Sequence, residues 1–339
     1  MAQSPIVICF GALGDMVMTT PLLRALAAQH GAPCTVIGHG RWVPDLFANL
    51  PFVGAVHTIA SRKRPYLISP DQWRAVRVMR QHHGHPAYLL ESDRNSAALV
   101  ARSGLKLTAS MATTPRGINR HQIASQATLA GLTDSPAFRA VPELRVSVDE
   151  QAVCRAWLAT IVPAGAPVVL MHPGNKKTAG WRRRSHNHKE WPQAAWVAVA
   201  RQVLAELPSA QVLITGTAAE SEMVSAIVTA CTDLRVHTIA GQTPLRRLLA
   251  LLTQAHSLIS VDTGPAHAAA ALGCPLVVLF GQTDPRVNGP TSIGPPVAVV
   301  TGPAGALVLD GESGWAAHHR MDAITADAVI VAWRNLRPT

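Results

Sequence analysis

A short apolar strand runs directly into a helix at Ser257-Leu-Ile-Ser-Val-Asp-Thr-Gly-Pro-Ala-His267. Within this stretch, Asp262 or Thr263 can cap the helix. Gly264 permits close approach of a ligand to the backbone, and Pro265 suits a first helical position. A helix N-terminus of this kind is suited to a phosphate, with the closing histidine in the first turn. Helix capping alone would also account for the pattern.

Short β-rich runs alternate with longer helical patterns along the chain, which indicates βαβ units and parallel sheets. A first series of strands is predicted at residues 6–10, 34–38, 55–59, 87–91 and 106–110. A second series is predicted at residues 167–172, 211–215, 235–239, 257–260 and 276–280. Helices are predicted at residues 20–30, 70–82, 149–161 and 325–336. Two series of similar size predict two Rossmann-like domains in the α/β class.

The domain boundary is predicted at the Pro- and Gly-containing stretch 162–167, which follows the helix at residues 149–161. This division gives a first domain at residues 1–161, a second at residues 162–322 and a final helix within residues 323–339. The segment at residues 112–144 has weaker periodicity and carries several cationic side chains. A long irregular stretch in a compact domain favours a binding loop, with disorder as the alternative.

Composition restricts the class of protein. The 339 residues are 48% apolar and 15% charged, which suits two folded domains and excludes disorder over most of the length. No apolar run approaches the roughly 20 residues needed to span a bilayer, and the first residues lack the basic region of a signal peptide. The five cysteines are scattered without a CxxC pair, which favours a reduced compartment over a structural zinc site. A cytoplasmic protein is therefore expected.

The charge balance favours anionic partners. Thirty basic against twenty acidic side chains give a formal charge of +10. Such a surplus attracts nucleotides, phospholipid headgroups, anionic glycolipids or nucleic acid. A compositional bias is the alternative, because the basic residues are nearly all arginine and are spread along the chain. Nucleic-acid binding is not predicted, since no regular aromatic interleaving accompanies the basic residues.

A second candidate site follows the first predicted strand at Gly11-Ala-Leu-Gly-Asp15. It is not the dinucleotide fingerprint GxGxxG, because Leu13 and Met16 stand where the second and third glycines would be. It is not a P-loop, because no GK[ST] follows. The side chain of Asp15 is expected at the mouth of the sheet, where open α/β folds bind ligands. Capping of the following helix is the alternative role.

A third candidate site begins at Met171-His-Pro-Gly-Asn175 and continues through basic residues to Lys189-Glu-Trp-Pro192. A strand followed by glycine and clustered cations can cradle an anion, and a solvated basic loop is the alternative, preferred for residues 182–184. Glu220 follows the strand at residues 211–215, where nucleotide-binding folds often place a carboxylate on ribose hydroxyls. A favourable interaction with the helix dipole would also explain that glutamate.

Four motifs, in this order along the chain, resemble glycosyltransferase family 9, the lipopolysaccharide heptosyltransferases. The matching stretches are Gly14-Asp15 with Thr19-Thr-Pro-Leu-Leu-Arg-Ala-Leu26, Lys189-Glu-Trp-Pro192, Asp262-Thr-Gly-Pro-Ala-His267 with Leu279-Phe-Gly-Gln-Thr-Asp-Pro285, and Met321-Asp-Ala-Ile-Thr325. Two stretches depart from the family pattern. Residues 174–189 are longer than its usual link, and residues 302–319 lack the cysteine cluster that many members carry.

The resemblance implies a GT-B fold, in which two Rossmann-like domains face each other across a cleft and the last helix crosses back to the first domain. It implies an enzyme that transfers heptose from ADP-heptose to the lipopolysaccharide inner core, inverts the anomeric centre and requires no metal or other cofactor. The acceptor would be an anionic glycolipid of the lipid A–Kdo type, reached from the cytoplasmic face of the inner membrane by a peripheral enzyme. Alternatives are another nucleotide sugar or acceptor, or a GT-B-fold sugar-nucleotide epimerase.

Carried over by position, the resemblance also assigns roles to residues. Asp15 would be the general base for the acceptor hydroxyl, and Lys189 would neutralise charge on the donor diphosphate. Backbone N–H groups at residues 263–264 would bind the phosphates, and the carboxylate at residue 220 would hold the ribose. The donor-binding residues of the second domain would be Glu220, Asp262, Thr263, Gly264 and His267. The acceptor-binding first domain would contribute a loop with Gly14, Arg116 and Arg120.

Overall fold

The computed structural model describes residues 3–113, 121–175, 178, 187–302 and 319–336. The chain forms two compact units, of which the first ends at Arg145 and the second begins at Val146. Each unit is a parallel β-sheet with its own helices and its own buried apolar core. The prediction of two parallel-sheet α/β domains is therefore confirmed.

The first unit contains a five-stranded sheet. Its strands are β1 (Ile6–Ile8), β2 (Cys34–His39), β3 (Val53–Ile59), β4 (Ala87–Leu89) and β5 (Ala109–Ser110). They are ordered β3-β2-β1-β4-β5, and every neighbouring pair is parallel. Because β1 lies in the middle, between β2 and β4, all three of its residues are fully buried, as expected for a central parallel strand.

The helices of the first unit are α1 (Leu13–His30), α2 (Val43–Phe47), α3 (Pro70–Gln81), α4 (Arg94–Ser103) and α5 (Gln122–Leu129). Helix α1 begins at Leu13, earlier than the predicted start at residue 20, because Pro21 does not open the helix but lies inside it. Proline cannot donate a backbone hydrogen bond to the carbonyl four residues earlier. Here the hydroxyl of Thr20 donates to that carbonyl, on Val17, at 2.8 Å. The side chain thus replaces the missing bond, and Asp15 falls in the first helical turn.

Helix α5 lies in the segment at residues 112–144, which was predicted as an irregular binding loop. That prediction is wrong for Gln122–Leu129, because α5 is a regular helix that packs against α1, whereas residues 130–144 are irregular as predicted. The buried amide of Gln126 donates to the hydroxyl of Thr19 at 3.2 Å. Residues 114–120 lie outside the described residues.

The second unit contains a six-stranded sheet. Its strands are β6 (Val168–His172), β7 (Gln211–Ile214), β8 (Val236–Thr238), β9 (Ser257–Val261), β10 (Leu276–Phe280) and β11 (Val297–Thr301). They are ordered β11-β10-β9-β6-β7-β8, again with parallel pairs throughout. The edge strand β11 was not predicted, although its run Val-Ala-Val-Val-Thr carries a β-strand signal.

The helices of the second unit are α6 (Val148–Leu158), α7 (Gln193–Glu206), α8 (Ser221–Cys231), α9 (Leu245–Leu252), α10 (Gly264–Ala271), α11 (Pro285–Asn288) and α12 (Ala326–Arg334). Trp196 of α7 and Trp333 of α12 are its largest fully buried side chains. The indole of Trp191 meets that of Trp196 edge-on at 5.0 Å and donates to the carbonyl of Ile324. These contacts attach the segments before α7 and α12 to the core.

The division between the units differs from the predicted one. Helix α6 packs against α9, and Arg246 forms a two-pronged ion pair with Glu150 of α6. The division therefore precedes α6, and the stretch 162–167 is a turn within the second unit. Helix α12 packs against α7, β10 and β11 of the second unit, and the crossing to the first domain that the resemblance implies stays a prediction.

All five cysteines are buried and free of disulfides, in agreement with their scattered spacing. Among the described residues, no helix has both the length and the apolar character required to cross a membrane.

Candidate functional site

In the first unit, the strand order creates a crevice at the carboxyl ends of β1 and β4. The chain builds β2 and β3 on one side of β1 and then crosses to β4 on the other side. The loops that leave β1 and β4 therefore diverge, and open parallel sheets bind ligands at such switch points. The candidate residue Asp15 follows β1.

Asp15 is fixed by the backbone around it. Its Oδ2 atom accepts a hydrogen bond from the backbone N–H of Ala12 at 2.8 Å, which satisfies a donor at the start of α1. A Cβ atom at position 11 would collide with the Asp15 side chain, so Gly11 is required for this close packing. Asp15 is half-buried, and Gly14 beside it is buried inside the first turn of α1.

A second carboxylate lies at the same crevice. Oε1 of Glu91, just beyond β4, accepts from the backbone N–H of Phe10 at 2.6 Å. Its Oε2 pairs with Arg62 at 3.1 Å, and Arg62 also pairs with Asp93 at 2.6 Å. Sequence reasoning missed Glu91 and Arg62 as site residues. The available signal was a glutamate at the carboxyl end of a predicted strand.

The charges of both carboxylates, Asp15 and Glu91, act on the thiol of Cys9 at the end of β1. Burial, together with the negative charges of Glu91 and Asp15, raises the pKa of the Cys9 thiol to about 12. Cys9 follows β1, so both charges act on the mouth of the crevice. This thiol stays protonated at neutral pH and is not a nucleophile.

The second unit has the same kind of crevice, between β6 and β9. Here the chain builds β7 and β8 on one side of β6 and crosses to β9 on the other. The ammonium group of Lys189 lies 2.5 Å from Oδ2 of Asp262 and 3.2 Å from its carbonyl oxygen. Asp262 is only 5% exposed, directly after β9. A buried carboxylate thus anchors a partly exposed cation at the carboxyl end of the sheet.

Helix α10 begins two residues after Asp262, the residue that binds the Lys189 ammonium. Thr263 is its N-cap in extended conformation, and Gly264 and Pro265 form its first turn. Backbone N–H groups at a helix start have no intrahelical acceptor and carry partial positive charge. His267 is buried on the same helix. The ammonium of the Lys189–Asp262 pair and the helix start together offer several N–H donors suited to an anion.

Glu220 connects the loops after β6 and β7. Its Oε2 accepts from the N–H and the hydroxyl of Thr217 at 2.7 and 2.8 Å, and its Oε1 accepts from the hydroxyl of Thr178 at 2.5 Å. A Cβ atom on Gly174 would collide with the carboxylate. Burial lowers the pKa of the His172 imidazole, with Glu220 opposing, so this ring is neutral at pH 7.

Comparison with known proteins identifies the family to which the chain belongs. The family model of glycosyltransferase family 9 (heptosyltransferase) matches residues 100–298, which is more than half of the chain. The chain belongs to glycosyltransferase family 9. The family predicted from the motifs is thereby confirmed, and with it the classification of the chain as a glycosyltransferase.

Two relatives illustrate the range of similarity. Lipopolysaccharide heptosyltransferase 2 of Salmonella typhimurium is 31% identical over 107 residues, which are 31% of this chain and 30% of the relative. Lipooligosaccharide heptosyltransferase 2 of Haemophilus ducreyi is 23% identical over 340 residues, 94% of each chain. The matched stretch thus spans less than a third of the length of the first relative.

The fold is shared along the full chain. The structure of Escherichia coli ADP-heptose lipopolysaccharide heptosyltransferase II aligns with a TM-score of 0.74 over 98% of each chain, at 21% identity. This likeness confirms the GT-B fold.

Within this family 9 fold, the predicted site residues fall into two groups. The second unit brings together Lys189, Asp262, Thr263 and Gly264 at the end of β9, with His267 on the following helix. Glu220 follows β7, which β6 separates from β9 in the sheet. The first unit carries Asp15 and Gly14. Arg116 and Arg120 lie outside the described residues, as do residues 176–177 and 179–186 of the basic stretch.

Proposed function

We propose that this family 9 chain transfers heptose from ADP-heptose to the inner core of lipopolysaccharide, with inversion at the anomeric centre. The observation that carries the proposal is the ion pair of Lys189 with buried Asp262 at the start of α10. It holds the ammonium group in a fixed position next to the helix N–H groups, and these donors together suit the diphosphate of a nucleotide sugar. The names of the relatives supply the heptose and the lipopolysaccharide.

The proposed donor site acts on the leaving group. When the bond between the anomeric carbon and the phosphate oxygen breaks, ADP leaves with the electron pair and its negative charge increases. Lys189 and the backbone N–H groups of Thr263 and Gly264 stabilise that charge more strongly in the transition state than in the bound donor. Asp262 positions Lys189, because its carboxylate and carbonyl oxygens both accept from the ammonium group.

The nucleoside is proposed to lie towards Glu220. The carboxylate of Glu220 already accepts three hydrogen bonds from two threonines. An ionised carboxylate has about four lone-pair sites, which leaves one for a ribose hydroxyl. His267 is proposed to support the phosphate turn from inside α10, where it is buried.

The proposed acceptor chemistry belongs to Asp15. The acceptor hydroxyl attacks the anomeric carbon from the face opposite the leaving ADP, and its proton passes to the carboxylate of Asp15. The hydrogen bond from the Ala12 N–H occupies only one lone pair of the Asp15 carboxylate, so other lone pairs are free to accept the proton of the acceptor hydroxyl. General-base catalysis of this kind contributes about 10²–10⁴-fold to the rate. Gly14 and the residues at 116 and 120 remain the proposed acceptor side.

The acceptor is proposed to be an anionic glycolipid of the lipid A–Kdo type, at the cytoplasmic face of the inner membrane. The formal charge of +10 favours such a partner. Because Lys189 and the α10 N-terminus already place positive charge at the diphosphate site, we propose that transfer requires no metal. Turnover unchanged by excess EDTA would support this, and loss of turnover that magnesium restores would contradict it.

Calorimetric titration of the purified protein with ADP, UDP, GDP and CDP tests the donor. The proposal predicts clear preference for ADP. Preference for UDP or GDP would contradict the heptose donor while leaving the family and the phosphate site in place. Binding of none of the four nucleotides would contradict the nucleotide-sugar transferase itself.

A further inference from the structure

An exposed apolar surface with a cationic border covers the outer side of α3 and the turn before it. Leu67 is 81% exposed, Ile68 71% and Trp73 45%. These three large apolar side chains lie within seven residues of sequence. Single exposed apolar residues are ordinary on a soluble protein, but a cluster bordered by charge marks an interaction site.

The exposed charged side chains beside this cluster are mainly cationic. Arg74 and Arg77 are exposed on the same stripe of α3 as Trp73, and Lys63 is exposed in the preceding loop. Between residues 61 and 90 the sequence contains six lysine and arginine residues and a single acidic residue, Asp71. One of the six, Arg62, pairs with Glu91 and Asp93 and does not add to this surface. Oδ2 of Asp71 accepts from the backbone N–H of Ala60 at 2.5 Å, so that carboxylate is directed to the backbone.

The surface is held in place by its own hydrogen bonds. The buried amide of Gln72 donates to the carbonyls of Ser61 and Arg64 at 2.8 and 3.1 Å. The indole N–H of Trp73 donates to the carbonyl of Tyr66 at 2.7 Å. The turn Tyr66–Ile68 therefore presents its leucine and isoleucine on a fixed backbone, which reduces the conformational entropy lost on binding.

We infer that this α3 surface docks the protein on an anionic phospholipid bilayer. Exposed leucine and isoleucine suit insertion below the headgroups, tryptophan suits the interface, and lysine and arginine suit anionic headgroups. The exposed cations Lys63, Arg74 and Arg77 beside an apolar centre favour this occupant over a second copy of the chain, because two such surfaces would bring these cations together. Docking here serves the proposed function, in which the acceptor is a glycolipid.

The test is co-sedimentation of the full chain with vesicles. One set contains phosphatidylethanolamine with phosphatidylglycerol, and the other contains only phosphatidylcholine. The wild type should bind the anionic set and much more weakly the zwitterionic set. Leu67→Ser/Ile68→Ser should weaken binding at least about tenfold, since two inserted side chains lose their apolar burial. Arg74→Gln/Arg77→Gln should weaken binding to the anionic set by about fivefold for each charge removed.

Leu234→Ser is the matched control, because Leu234 is 95% exposed in the second unit, next to the ion pair of Asp233 with Arg235. It should bind vesicles like the wild type. No vesicle binding by the wild type, or equal binding by the Leu67/Ile68 variant, would overturn the inference. So would a wild-type dimer in sedimentation velocity that this variant abolishes without any change in vesicle binding. Titration with ADP separates the two proposals, because both α3 variants should bind ADP normally even where docking fails.

Discussion

The two crevices of the molecule have the same kind of topology, but each contains a different set of charged groups. In the first unit, the switch point between β1 and β4 carries two carboxylates, Asp15 and Glu91, held by backbone N–H groups. In the second unit, the switch point between β6 and β9 carries the Lys189 ammonium and the start of α10. We propose that the first crevice accepts a proton and that the second holds a diphosphate.

This difference shows that the fold provides the location and the side chains provide the function. Parallel sheets with a switch point form a crevice in both units, whatever residues line it. The matched family region, residues 100–298, includes the whole phosphate crevice but neither Asp15 nor Glu91. The proposed division of labour therefore depends most on tests of the first unit.

The largest expected effect is on turnover in the first unit. Asp15→Asn should lower turnover by about 10²–10⁴-fold, because an amide cannot accept the proton of the acceptor hydroxyl. The affinity for ADP should not change, since asparagine still accepts the hydrogen bond from Ala12. Steady-state kinetics and ADP calorimetry on the same preparation measure both. Asp45→Asn, at an exposed position of α2, is the control, and unaltered turnover in the Asp15 variant would remove that residue from the mechanism.

The complementary change in the second unit should lower ADP affinity as well as rate. Lys189→Ala removes a charge-assisted contact to the diphosphate, which corresponds to about 10–100-fold in affinity. It also leaves the buried carboxylate of Asp262 without its cation, so the melting temperature should fall. Calorimetry and thermal unfolding measure these effects, with Lys106→Ala at an exposed site of the first unit as control. Unchanged ADP and donor affinities would contradict the assignment.

A smaller effect is expected at the ribose. Glu220→Gln should weaken ADP binding about tenfold. The carboxylate accepts hydrogen bonds at both oxygens, whereas the NH₂ group of glutamine cannot accept one, so the side chain would lose a threonine contact and shift away from the ribose. Comparison of ADP with its 2′-deoxy and 3′-deoxy forms localises the contact. The wild type should distinguish them, and the variant should not. Glu222→Gln, exposed in the first turn of α8, should behave like the wild type. If both variants distinguished ADP from its deoxy forms equally well, the ribose would not lie at Glu220.

The smallest expected effect is on the stability of the second unit, in which Arg246 of α9 pairs with Glu150 of α6. Hydrogen bonds from Arg246 hold the pKa of Glu150 at about 2, below its ordinary value of 4.5. The pair therefore stabilises the fold fully above pH 4.5, and its contribution disappears as the pH falls towards 2. Glu150→Gln should cost about 1–2 kcal/mol at pH 7, since the pair is partly exposed. Thermal unfolding from pH 7 to pH 3 should show the difference shrinking, and a constant difference would contradict this.

Sequence patterns predicted the buried strands well and long-range contacts poorly. Strand β10 was predicted at its observed bounds, because central parallel strands are continuous apolar runs. The start of α1 was misplaced because Pro21 has the properties of a first helical residue, and its compensation by the Thr20 hydroxyl is visible only in three dimensions.

The candidate site shows the same limit. The resemblance to family 9 identified Lys189 and Asp262 separately, but no local pattern joins two residues 73 positions apart. The bond from Glu91 to the backbone of Phe10 spans 81 positions and depends on β4 lying beside β1. Strand order, which sequence periodicity does not encode, brings these groups together.

Hydrogen–deuterium exchange with and without ADP tests the division of labour most directly. The account predicts slower exchange on ADP binding in peptides that cover residues 187–191 and 262–267 of the second unit. It predicts no change in peptides that cover residues 9–15 and 90–93 of the first unit. Protection of residues 9–15 together with unchanged exchange at residues 262–267 would contradict it, because ADP would then occupy the crevice assigned to the base.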